Sequence, residues 1–130
     1  VLPSGDSSSM KTCLRSIFAP AIMLALIAGQ SVLHAHAILV EAVPAQDATV
    51  KGPDVAIQLK FNSRVDGERS RIYLVLPDKS VRTLSLEKQE SLEVLHAQAS
   101  GLTSGSYRIR WQVLAADGHI TRGEYVFTVK

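Results

Sequence analysis

Three residues carry the most chemistry in this chain: His36, Asp117 and His119. His36 lies in Leu33-His34-Ala35-His36-Ala37, and a signal peptidase cutting after Ala35 would make it residue one of the mature protein. A terminal histidine offers two nitrogens, its α-amine and its ring Nδ1, which close a chelate ring on a metal. A nitrogen- and oxygen-rich set of that kind suits Cu(II), which stands at the top of the divalent affinity series. Asp117 and His119 are two positions apart, so on extended backbone they project to the same side, with Gly118 allowing a tight path between them. A carboxylate and a neutral imidazole would complete a Cu(II) site. Two plainer possibilities stand beside this one. Ala35-His36-Ala37 is itself an A-x-A signature, and cleavage after Ala37 would discard His36. Asp117-Gly118 is also an ordinary hairpin turn, which would leave His119 a bystander.

The elements that must position these residues begin after a leader. From Met10 the chain has a short positive start at Lys11 and Arg15, then an apolar run from Ile17 to Ala28, then small residues. That layout over residues 10–35 predicts a secretory signal peptide, its apolar stretch being too short for a comfortable membrane span. Residues 1–9 are read as upstream sequence without function. Cleavage after Ala35 leaves a single domain, 36–130, of 95 residues, with 12 Lys and Arg against 11 Asp and Glu. The only cysteine, Cys13, and both methionines, Met10 and Met23, leave with the leader. A disulfide framework and a multi-cysteine metal site are thereby excluded, and the absence of charge blocks removes an electrostatic case for nucleic acid or anionic lipid.

Apolar and polar residues alternate along nearly all of 36–130. Val55, Ile57, Leu59 and Phe61 share one parity, as do Trp111, Val113 and Ala115, and Tyr125, Phe127 and Val129. Period two predicts half-buried strands, here near 37–43, 54–62, 71–77, 80–87, 91–98, 106–116 and 123–130. Seven short strands without a helix predict an all-β sandwich of immunoglobulin or cupredoxin type. His96 shares the parity of Leu92 and Val94 and is read as a packed or edge-facing strand residue. Tyr107 and Trp111 are read as packing residues, and Arg64, Arg69 and Arg71 as a solvated rim around one turn.

The segments HAILVEAVPAQDATV at 36–50, LKFNSRV at 59–65 and GSYRIRWQVLAADGHITRGEYVFTV at 105–129 resemble the periplasmic copper-resistance protein family CopC. The resemblance spans the mature chain, and its most specific stretch runs from Trp111 to Phe127. It implies a seven-stranded Greek-key sandwich, a mature chain beginning at His36, and Cu(II) held by His36 through amine and ring together with Asp117 and His119. Two departures stand out. Where some members carry a glutamate near the Cu(II) centre, this chain has Ser63. Where others have a Met-rich Cu(I) loop, the mature chain has no methionine, and soft Cu(I) wants sulfur ligands. A single Cu(II) site is expected.

The function expected is periplasmic buffering or delivery of Cu(II) without turnover, by a monomer, with an inner-membrane copper protein as the partner that the resemblance implies. A histidine-brace copper monooxygenase is the enzymatic alternative, and 95 residues leave little room for its broad substrate surface. A blue-copper protein fails for want of a cysteine thiolate. A metal-free immunoglobulin-like assembly module remains if His36 is not the terminus.

Overall fold

The computed structural model describes residues 36–130; the proposed leader at 10–35 and the residues before it lie outside the described residues. Eight strands follow in order: β1 (Leu39–Val43), β2 (Thr49–Val50), β3 (Val55–Phe61), β4 (Val65–Val75), β5 (Val81–Leu84), β6 (Val94–Ala99), β7 (Gly105–Ala115) and β8 (Ile120–Val129). No helix occurs among the described residues. One sheet has the order β1-β3-β6 and the other β2-β8-β7-β4-β5, so the chain crosses repeatedly between two layers in the manner of a Greek key. Every pairing is antiparallel except that of β2 with β8.

Strong alternation becomes structure where large side chains supply it. Ile57, Leu59 and Phe61 of β3 face Ile72 and Leu74 of β4, Ile109 and Val113 of β7 and Phe127 of β8, all essentially without solvent contact. Burying such side chains is the main driving force for joining the two layers. The sequence differs from its structure in three places. β2, two residues long, is too short to show a period and makes the eighth strand. β4 begins at Val65 rather than near 71, because its register shifts between Asp66 and Arg71 and the alternation breaks there. Ser70 makes the irregularity tolerable: fully buried, its Oγ donates to the Asp66 carbonyl and accepts from the Leu114 N–H at 3.1 Å. In β6 the inward parity belongs to Leu95, Ala97 and Ala99, not to Leu92, Val94 and His96, since Leu92 lies exposed in the preceding turn. His96 is half-buried on the outer face of the smaller sheet, opposite Gln58.

Tyr107 is a packing residue with a second task. Its ring stacks on Phe127 at 5.7 Å, while its hydroxyl donates to the Thr103 carbonyl at 2.8 Å and accepts from the Thr103 N–H at 3.0 Å. This is the tyrosine corner of Greek-key sandwiches. Tyr107→Phe keeps the ring but strands both Thr103 groups, and is expected to lower unfolding free energy by about 1–2 kcal/mol. Urea unfolding would read this as a lower midpoint at unchanged m-value.

Candidate metal centre

The end of the sandwich nearest His36 is built around the turn between β3 and β4. Asn62 in that turn holds the first residues of the domain: its Oδ1 accepts the Ile38 N–H at 2.7 Å and its own N–H donates to the Ile38 carbonyl at 2.9 Å. Ala37 is fully buried beside this clamp, so His36 is fixed one residue from an anchored point. Two residues beyond Asn62, the Arg64 carbonyl accepts the Ala116 N–H at 3.0 Å and ties down the loop between β7 and β8. A single turn thus positions both chain segments that carry the candidate ligands.

The β7–β8 loop is itself tightly made. The Gly118 N–H donates to the Ala115 carbonyl and the Ala115 N–H to the His119 carbonyl, both at 2.9 Å. Gly118 has φ of 86°, a conformation that L side chains rarely adopt, which is why glycine stands there. Asp117 Oδ1 accepts the His119 N–H at 3.0 Å, and Oδ2 lies 3.1 Å from His119 Nδ1 and 4.0 Å from His36 Nδ1. The two imidazole rings meet edge-on, with centroids 5.2 Å apart and planes at 65°. The His119 backbone N–H, and after it the ring, hold the Asp117 carboxyl below its ordinary value despite an opposing desolvation, so it is an anion at neutral pH.

One donor atom each from His36, Asp117 and His119 lies within 4.8 Å of the others. Bonds of about 2.0–2.2 Å, as in zinc sites, put two donors on one ion at most about 4 Å apart. The two imidazole side chains are 58% and 54% exposed, while that of Asp117 between them is 15% exposed. The residues therefore fit a first-row divalent ion. Among the described residues no other cluster of this kind occurs. Nothing brings His96 to this end of the sandwich. Asn62 is the positioning residue that the sequence did not single out; its only signal was its place in the stretch Phe61-Asn62-Ser63-Arg64. Asn62→Ala is expected to release the Ile38 clamp and weaken any metal binding at this cluster about tenfold, as changes outside the ligand set commonly do. Competition titration against a chelator would measure it, and an unchanged affinity would separate the clamp from the site.

The fold and this cluster define a class: small β-sandwiches with a mixed nitrogen and oxygen side-chain cluster at one end. Residues 39–130 match the family model for the CopC domain. The chain is 33% identical to Protein YobA of Escherichia coli strain K12 over 125 residues, covering 93% of this chain and all of that one. It is 27% identical to Copper resistance protein C of Xanthomonas campestris pv. juglandis, covering 89% and 97% of the two chains. Among solved structures, CopC from Methylosinus trichosporium OB3b superposes with a TM-score of 0.66 at 30% identity, over 73% of this chain and 94% of that one. PcoC, a methionine-rich copper resistance protein from Escherichia coli, gives 0.62 at 27% identity, over 74% and 100%. The chain belongs to the CopC family.

Proposed function

We propose that this protein binds one Cu(II) in the periplasm and buffers or delivers it, without catalysing a reaction. The observation that carries this reading is the convergence of His36, Asp117 and His119, from opposite ends of the domain, with donor atoms within 4.8 Å. Membership of the CopC family, and the copper-resistance names of the relatives, support copper as the ion. In this proposal residues 10–35 are a signal peptide removed after Ala35. The freed α-amine of His36 then joins its ring as a chelate, with Asp117 and His119 completing the set. The anionic Asp117 offsets part of the metal charge. With no methionine or cysteine after residue 35, the mature chain offers no soft site for Cu(I). The working unit is a monomer, and the partner receiving copper is an inner-membrane copper protein.

The test is native intact mass of the protein exported through its own leader, before and after one equivalent of Cu(II). A chain beginning at His36 that retains one copper upholds the proposal. A chain beginning at Ile38, or one that stays metal-free, overturns it.

The ligand set also sets a pH dependence. An amine of reference pKa near 7.7–8.0 and imidazoles near 6.5 must each lose a proton to bind, so protons compete for all the nitrogens as pH falls. Asp117, held below its ordinary value, stays charged through the same interval and does not contribute to the loss. Affinity is expected to fall at least about a thousandfold from pH ~8 to ~5. Chelator competition at several pH values checks it, and a flat profile would rule out an amine–imidazole chelate.

A further inference from the structure

The near-balance of charge over 36–130 conceals an uneven distribution. On the outer face of the larger sheet, cross-strand register sets Arg71 beside Gln112 and Arg122, Tyr73 beside Arg110 and Glu124, and Val75 beside Arg108 and Val126. Those three rows carry four guanidinium groups and one carboxylate. On the outer face of the smaller sheet the rows are Glu41 with Lys60 and Val94, Val43 with Gln58 and His96, and Ala56 with Gln98, in which one acid cancels one base.

Glu124 shows what the basic face accepts. Its carboxylate takes hydrogen bonds from Arg108 Nη1 at 2.7 Å and Arg110 Nε at 3.3 Å, and these two arginines hold its carboxyl below its ordinary value. Arg122 donates only to the neutral Gln112, at 3.1 Å, and Arg71 only to the carbonyls of Glu68 and Ser70. Among the described residues, two guanidinium groups therefore carry charge with no carboxylate bonded to them. We propose that this face docks an extended, carboxylate-rich segment of a partner protein.

Spacing and chemistry both favour that occupant. Alternate residues of an extended chain repeat at about 6.8 Å, the same as alternate residues along β7 and β8, so acids at every second position meet successive rows. Guanidinium forks bind carboxylates bidentately, which lysine does not. A lipid surface fits less well: the four guanidinium groups only reach the lower end of the clusters of roughly four to eight that bind anionic membranes, and Glu124 already engages two of them. The apolar members of the rows, Tyr73, Val75 and Val126, are half-buried and do not protrude.

The probe is a fluorescein-labelled peptide of about ten residues with glutamate at alternate positions, and its glutamine counterpart, titrated with the exported, copper-free protein at ~20 and ~300 mM salt. Anisotropy should show binding of the glutamate peptide alone, weakened about tenfold by high salt and again by the double variant Arg71→Glu/Arg122→Glu. Amide shifts on the wild-type protein should fall at Arg110 and Arg122 and spare Gln58 and His96, a readout that does not depend on the variant folding. Equal binding of both peptides, shifts on the smaller sheet, or a double variant that binds the glutamate peptide as the wild type does overturns the proposal. So does co-sedimentation with phosphatidylglycerol vesicles by a protein that ignores the peptide, which would assign the face to lipid. Because copper is absent throughout, failure here leaves the metal reading untouched.

Discussion

His119→Ala is expected to remove the retention of one equivalent of Cu(II) in native mass spectra and to lower affinity at least a hundredfold. Changes to residues that merely orient ligands cost about 10–100-fold in metal affinity, and loss of a donor should exceed that range. The variant keeps its fold, because the ring is 54% exposed and surface substitutions usually stay within about ±0.5 kcal/mol. Asp117→Asn makes an informative companion. The amide oxygen still accepts the His119 N–H that shapes the loop, so the variant removes charge with little change of form. Its loss should be smaller than that of His119→Ala. His96→Ala is the control, since His96 lies on the outer face of the smaller sheet opposite Gln58. Retained copper in His119→Ala, or lost copper in His96→Ala, would show that the ion sits elsewhere.

The candidate ligands were legible one by one, by type and by spacing, whereas their meeting was implied only by the family resemblance. The segments that carry His36 and Asp117 are held at one turn by hydrogen bonds of Ile38 with Asn62 and of Ala116 with Arg64, and the Asn62 contact spans 24 positions of sequence. No periodicity carries across such a distance. Alternation located β3, β7 and β8 because each presents large apolar residues on one parity. It misjudged β6, whose inward positions include two alanines, residues that mark a buried face weakly beside the neighbouring Val94 and Leu92. It also lost the start of β4, where Ser70 occupies a core position. A buried hydroxyl there reads as polar until both its partners, the Asp66 carbonyl and the Leu114 N–H, are known. The arginine-rich face was hidden for a related reason: net charge sums over the chain, while a face is assembled by strand register.

Gly123→Ala is expected to be the most disruptive change of a single methyl group in the domain. Gly123 pairs with Trp111 across β7 and β8, and the indole packs against it. A Cβ at that position would overlap indole Cζ2 and come within 2.7 Å of both Cε2 and Cη2. The glycine is thus required by the bulk of its neighbour; its backbone needs no unusual angle. The indole has limited room to yield, toward a cleft of about 210 Å³ beside Leu39, Ala42 and Tyr125. Forcing extra carbon into a packed core costs about 1–3 kcal/mol, offset by roughly 0.4–1 kcal/mol from the stiffer unfolded chain. A net loss near 1–2 kcal/mol corresponds to a Tm lower by roughly 5–15 °C in a domain of this size. As Trp111 is the only tryptophan, its fluorescence should shift as the ring moves toward solvent. Trp111→Phe on its own should also destabilise, yet combined with Gly123→Ala the two costs should fall short of their sum by about 1 kcal/mol, because the smaller ring removes the overlap. Strict additivity, or a Gly123→Ala protein with wild-type Tm and emission, would show that the indole does not need the glycine beneath it.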